Sequence, residues 1–301
     1  MVSQASVDDA EGAAELLRAV DADRVTTVAG IRYRMEAARP EERRATWKAE
    51  AGEVVVGWAF AGLDAFAERR DRAFAGIAVH PGHRRAGVGS ALWSAVSEHL
   101  RAIEARKVVA HGNGDDATRS FVGSRGFALV AVDTTSAVDP RDLPPPPDPP
   151  QGVTLRPLST FSGDPEPLYL SDRESSADEP GPTDIAGMTL ESWRRLYWDQ
   201  PGIDRELGVA AVADGIVVAS TFLFADRDTG RAMNGGTGVI PACRGRGLGL
   251  LVKQHSLARA AAAGITLVTT QNDDTNAPML AINRRLGYRP RSVGCTWVLE
   301  R

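Results

Sequence analysis

The sequence predicts an α/β protein built as two tandem domains, on three observations. A basic, glycine-spaced loop joins an apolar strand to a helix at Thr237–Lys253 and again at Val79–Leu92, so that Pro81, Arg84, Gly87 and Gly89 recur as Pro241, Arg244, Gly247 and Gly249. Strand and helix patterns follow one another in a layered α/β order around each loop. Between the halves, Asp139–Pro150 carries successive prolines, which lack a backbone donor and favour extended polyproline II, so no helix or inner strand runs through it. The expected division is 1–138, a semi-rigid connector at 139–150, and 151–301.

Composition bounds the function classes. At 301 residues, with 43% apolar and 25% charged side chains, the chain has room for two ordinary cores. Its net charge of −4 provides no general basic field, so neither nucleic acid nor an anionic membrane is an expected partner. Cys243 and Cys295 are the two cysteines; they lie far apart without CxxC or His-rich spacing, so no metal site and no disulfide framework is expected. Met1–Asp9 has neither the basic region nor the apolar core of a signal peptide, and no apolar run approaches the ~20 residues that span a bilayer. A cytoplasmic monomer or homodimer is expected.

Taken in order, residues 9–20 carry apolar positions at helical spacing after an Asp pair suited to capping. A polar, helical segment leads to Arg44, and 46–60 reads as a hairpin turning at 49–53. Arg72–Val79 is a strand, followed by the first Arg/Gly loop and a helix over 89–105. Lys107–His111 is a short buried strand, 116–124 a helix, and 126–130 a strand. The second half restarts with a strand at 152–157. Asp172–Pro182 reads as an acidic loop rich in breakers, and 189–199 as a capped helix. Residues 207–224 form a hairpin with an Asp-Gly turn. After the second loop come a helix to Ala263, a strand at 265–270, and a helix at 276–286 closed by Gly287.

The loops are built to hold an anion. Their glycines let the backbone turn tightly and approach a ligand, and the following helix begins with amides that have no intrahelical acceptor and lie at the positive end of its dipole. Arg244 and Arg246 add fixed positive charge suited to phosphate oxygens.

Both loops resemble motif A of the GCN5-related N-acetyltransferases, the GNAT superfamily, and the chain as a whole resembles a tandem GNAT of the bacterial kind. The resemblance implies two GNAT-like domains, each with a mixed, mostly antiparallel central sheet flanked by helices, and acetyl-CoA as cofactor. In that family the loop amides cradle the coenzyme A pyrophosphate and the preceding strand binds the pantetheine arm. Carried onto this sequence, the implied contacts are Ile77, Ala78, Val79, Arg84, Arg85, Ala86, Gly87, Val88, Gly89 and Ser90 in the first half. In the second they are Thr237, Gly238, Val239, Arg244, Gly245, Arg246, Gly247, Leu248, Gly249 and Leu250. Gln271–Tyr288 resembles motif B, in which an Asn opening the helix contacts the cofactor; Asn276 holds that place, with Asn272 nearby. Asp115 is its first-half equivalent, and a carboxylate there is less welcoming to phosphates, which favours the second half as the cofactor site.

Acetyl transfer needs a deprotonated amine, a polarised thioester carbonyl and a stabilised thiolate. Many GNATs place a Tyr four residues before the motif B glycine as the thiol's acid; here those positions are Val122 and Asn283. The strand base that many members carry is missing from Ala73–Val79 and Met233–Val239. Asn283 remains a hydrogen-bond donor. Glu174, Asp178 and Glu179 are candidate bases, and His111, at a strand end, is the one His considered for catalysis. The implied activity is acetyl transfer to the amine of a small molecule by direct attack in a ternary complex. A protein lysine or N-terminus as acceptor, or a non-catalytic acyl-CoA-binding module, are the alternatives.

Overall fold

A computed structural model describes residues 1–64, 71–177, 187–273 and 276–301. In chain order its elements are β1 (Val2–Gln4), α1 (Ala10–Val20), α2 (Val28–Glu36), β2 (Ala45–Ala51), β3 (Val54–Leu63), β4 (Arg72–Val79), α3 (Val88–Ala102), β5 (Lys107–Asn113), α4 (Asp116–Gly123) and β6 (Ala128–Val138). They continue with β7 (Val153–Pro157), α5 (Glu166–Ser175), α6 (Leu190–Trp193), β8 (Val209–Ala213), β9 (Ile216–Asp226), β10 (Arg231–Val239), α7 (Leu248–Ala262), β11 (Leu267–Asp273), α8 (Ala277–Arg285) and β12 (Arg289–Glu300).

The chain forms two compact units that do not follow its halves. The first comprises 1–22, 26–133 and 292–301; the second comprises 23–25 and 134–291. The strand order is β1-β2-β3-β4-β5-β12 in the first and β7-β8-β9-β10-β11-β6 in the second. The last strand of the chain therefore completes the first sheet, with Gly294 opposite Asn113 and Glu300 opposite Lys107. The 139–150 segment belongs to the second unit. It opens with a 3-10 turn at Pro140–Asp142 and docks on α7, where the His255 ring lies 2.8 Å from the carbonyl of Pro147.

Each sheet is mixed. The pairs β1–β2, β2–β3, β3–β4 and β5–β12 are antiparallel, and β4–β5 is parallel. In the second unit β7–β8, β8–β9 and β9–β10 are antiparallel and β10–β11 is parallel. The first core is rich in alanine: Ala49, Ala59, Ala61, Ala73 and Ala75 of the sheet meet Leu92, Val96 and Leu100 of α3. Such small residues let the helix lie close. A Cβ on Gly57 would stand 2.8 Å from Leu92 and 2.9 Å from Val88. The second unit adds an aromatic cluster in which Trp193 packs with Tyr169, Tyr197, Trp198 and Phe222.

Two local readings are corrected. Asp8 and Asp9 lie in a 3-10 turn at Val7–Asp9 that Ser6 caps, Ser6 N donating to Asp9 at 2.8 Å, so Asp9 holds the N-cap position of α1 without a side-chain bond to that helix. The stretch from Asp172 begins as helix: it is the last turn of α5, held by Trp193 Nε1 donating to Asp172 at 2.7 Å.

If β12 completes the first core, Trp297→Ala, which empties a buried site beside Cys295, should destabilise that unit by about 3–5 kcal/mol. Amide hydrogen exchange in β5 should accelerate accordingly. Unchanged protection of residues 107–113 would contradict the pairing.

Candidate active site

Both Arg/Gly loops have the same backbone. A 3-10 turn at Pro81–His83 or Pro241–Cys243 leads to a left-handed residue, Arg85 (φ 64°) or Gly245 (φ 74°), and then to a left-handed helix cap, Gly87 (φ 82°) or Gly247 (φ 78°). A Cβ at Gly87, Gly245 or Gly247 would meet nothing within 4 Å, so these turns face open space. The alternation of hands turns successive amides toward one side and makes an anion-binding concavity. Val88 and Leu248 then open α3 and α7.

The arginines do different work from that expected of free anion ligands. Arg244 is exposed, yet its Nε donates to Val239 O at 3.2 Å and its Nη2 to Ser175 O at 3.0 Å, bracing the loop against β10 and the end of α5. Arg84 Nε makes a long contact with Val79 O, 3.4 Å. Asp115 caps α4 through Thr118 N at 2.6 Å. Burial works to raise its carboxyl pKa, but the Thr118 hydrogen bonds and the charge of Arg84 outweigh it and bring it down. The charge of Arg84 thus already acts on a carboxylate. Ser90 accepts from Arg125 at 3.1 Å.

Ahead of each loop the parallel strands part. In the second unit β10 and β11 pair only from Arg231–Leu267 to Met233–Thr269, although β10 runs on to Val239 and β11 to Asp273. At the crotch of this fork lies a polar cluster. Asn234 Oδ1 accepts from Thr237 Oγ1 (3.1 Å) and Lys253 Nζ (3.4 Å), while its Nδ2 donates to Thr221 Oγ1 (2.8 Å) and Phe222 O (3.2 Å). Lys253 Nζ donates to Asn283 Oδ1 at 2.7 Å, and Asn283 Nδ2 donates to Asn272 Oδ1 at 2.6 Å. Thr270 Oγ1 reaches the same oxygen at 3.4 Å. Lys253 is 1% exposed and Asn283 4%. Burial pushes the Lys253 ammonium down to about 7 and the Tyr288 phenol, whose ring lies 5.2 Å from Nζ, up.

The structure thus brings Thr237, Asn272 and Asn283 together and sets the other expected residues apart. Gly238 packs against Ser175, where a Cβ would clash; Gly249 lies against Val239 and Ile282; Leu250 is half-buried. Asn276 caps α8, accepting from Met279 N at 3.2 Å. Glu174 is on the exposed side of α5. Asp178 and Glu179 lie outside the described residues. His111 lies within β5, not at its end, paired with Thr296; its ring sits 3.0 Å from Thr296 Oγ1 and stacks on Phe74. In the first unit β4 and β5 part in the same way after Phe74–Val109, and Ile77 and Val79 of the parted strand pack on the core while Ala78 stays half-buried.

Sequence reasoning missed Thr221, Asn234 and Lys253. The signal for Lys253 was present: it shares a helical stripe with Gly249, Val252, Ser256, Leu257 and Ala260, all buried. Matched by strand register and by the shared helix ends, the first-unit counterparts of Asn234, Lys253, Asn283 and Asn272 are Ala75, Trp93, Val122 and Gly112. Trp93 and Val122 pack on the apolar core.

Comparison with known proteins decides the family. Residues 15–127 match the model of the acetyltransferase (GNAT) family. Mycothiol acetyltransferase of Saccharomonospora viridis is 30% identical over 254 residues, covering 79% of this chain and 77% of that protein. The chain belongs to the GNAT family. A second mycothiol acetyltransferase, from Nocardioides sp., is 28% identical over 294 residues, covering 92% of this chain and 94% of its own length. Among solved structures, a tandem GNAT protein from the clavulanic acid biosynthesis pathway superposes with a TM-score of 0.76 at 22% identity, covering 100% of this chain and 98% of that one. A GCN5-related N-acetyltransferase from Sphaerobacter thermophilus gives 0.69 at 22% identity, covering 100% and 95%. This GNAT is an acyltransferase with the tandem fold, and its family generally uses acetyl-CoA. No helix among the described residues is long and apolar enough to cross a membrane.

The buried lysine makes a stability prediction. Its folded pKa, about 7, lies below the ordinary lysine value of 10.5, so between these pH values the unfolded chain binds more protons and stability rises with pH, while below 7 the full cost of the buried charge applies. Lys253→Met removes this linkage. The stability of the Met variant relative to wild type should be greatest at pH 6.5 and decline toward pH 9.5, by at most about 1.4 kcal/mol per pH unit. Urea unfolding at the two pH values checks this; a pH-independent difference contradicts it.

Proposed function

We propose that the second unit transfers acetyl from acetyl-CoA to the amine of a small molecule by direct attack in a ternary complex. The observation that carries this reading is the polar cluster at the β10–β11 fork, set against apolar residues at the matched positions of the first unit. The named relatives, both mycothiol acetyltransferases, favour a small-molecule acceptor over a protein lysine or N-terminus.

The residues present fit the cofactor. The turn at Gly245–Gly247 faces open space and its amides, with those opening α7 at Leu248, Gly249 and Leu250, suit the pyrophosphate, with Arg246 adding charge. The strand end at Thr237, Gly238 and Val239 has lost β11 as a neighbour and offers backbone groups to the pantetheine amides and the thioester carbonyl. When bound, acetyl-CoA supplies an acyl group activated as a thioester. The amine nitrogen bonds to the acetyl carbon, the carbon–sulfur bond breaks, and the proton lost by nitrogen is accounted for by solvent and the leaving thiolate. Asn283 supplies a donor near the fork but no acid. In the first unit the corresponding loop, Arg84 to Ser90, has its arginine's charge acting on Asp115 and its serine bound to Arg125. We assign that unit the weaker cofactor site.

Arg244→Glu removes the brace to Ser175 and reverses the local charge, so isothermal titration with acetyl-CoA should show affinity weakened by about tenfold or more. Arg84→Glu should reduce it less. Equal losses would overturn the assignment of the second unit, and no binding by wild type would overturn the cofactor reading.

A further inference from the structure

Lys253 has no role in the reading above, and the fold retains it at a cost. An ammonium on a side chain 1% exposed, with the Tyr288 ring 5.2 Å from Nζ, loses its hydration. The groups within reach of Nζ are Asn234 of β10, Met279 and Asn283 of α8, and the Tyr288 ring that follows α8. Among the described residues none is a carboxylate, and the single titratable one, Tyr288, is kept protonated by burial. An apolar side chain would satisfy packing alone. The first unit has Trp93 there.

The chemistry of the contact explains what the lysine adds. A protonated lysine can only donate, so the oxygen of Asn283 must face it and the nitrogen must face away. That nitrogen gives one hydrogen to Asn272 Oδ1 at 2.6 Å; its second hydrogen has no acceptor among the described residues. An amide so fixed at both ends is a preorganised donor at the fork. The positive charge behind its oxygen strengthens the N–H as a donor to developing negative charge. A neutral lysine could accept as well as donate and would no longer enforce this orientation.

We propose that Lys253 is a positioning residue that locks the Asn283 carboxamide with its oxygen inward, so that Nδ2 presents its remaining hydrogen to the departing coenzyme A thiolate. The inference rests on the second unit being the transferase site. Lys253 touches no reacting atom; it acts through Asn283.

The test uses the whole chain labelled with 13C at the lysine ε-carbons, which gives signals from Lys48, Lys107 and Lys253 only, the last assigned by its loss in Lys253→Met. Its NMR titration is followed with and without saturating coenzyme A, and the ligand should raise the Lys253 midpoint, because negative charge in the fork favours the ammonium. Asn283→Leu should abolish the rise. In steady-state release of coenzyme A from acetyl-CoA, Lys253→Met should lower kcat by at least about tenfold, less than the ~10²–10³ for loss of a direct donor, with acetyl-CoA affinity changed less than about threefold. The double variant with Asn283→Leu should be no slower than the slower single variant. Coenzyme A binding without response at Lys253, or losses that multiply in the double variant, overturns the proposal and leaves the proposed function standing. Failure of coenzyme A to bind at all overturns both. Met occupies similar volume without charge, and Lys253→Gln provides a second variant should Met misfold.

Discussion

The parting of β10 from β11 after Met233 and Thr269 is the constraint on which the second unit's chemistry depends. A parallel ladder that stops inside a sheet leaves strand amides and carbonyls without neighbours, and buried backbone groups must find other partners or a ligand. The bulge in β10 between Asn234 and Gly236 occurs at this point. Thr221 Oγ1 donates to Gly236 O at 3.2 Å and Asn234 Nδ2 to Phe222 O at 3.2 Å, so side chains attend to the irregular backbone and also build the polar cluster. The feature that opens a groove thereby supplies its polar floor.

The internal repeat works as a control. Both units carry the same fork and the same left-handed turns, and the β10 bulge is the backbone difference at the fork. The larger difference lies in the side chains. One crotch holds Asn234, Lys253 and Asn283; the other holds Ala75, Trp93 and Val122 at the matched positions. The family model matches residues 15–127, whereas the polar equipment lies in the other unit. Likeness in a scaffold's pattern and possession of site chemistry are separate properties.

Much of the fold was legible because it is written locally. The Arg/Gly loops, the Asp-Gly hairpin and the strand Arg72–Val79 depend on turn chemistry and short-range periodicity. The pairing of β12 with β5 was not legible, since nothing near Gly294–Glu300 names a partner as distant as Lys107–Asn113. The end of α5 was misread because Asp172 and Glu174 carry charge typical of loops, while the contact that holds the turn comes from Trp193, farther along the chain. At the site, Asn283 and Asn272 were found by resemblance and brought together by the fold. Lys253 escaped because a lysine on a helix is ordinarily solvated, and only its place on the apolar stripe hinted otherwise.

The most direct test of the account is a crystal structure of the chain with a non-hydrolysable acetyl-CoA analogue. The account predicts the analogue in the β10–β11 fork, its sulfur within hydrogen-bonding reach of Asn283 Nδ2 and its pyrophosphate on the amides of Gly245–Leu250. An analogue bound only at the β4–β5 fork, or one whose sulfur lies away from Asn283, would contradict it.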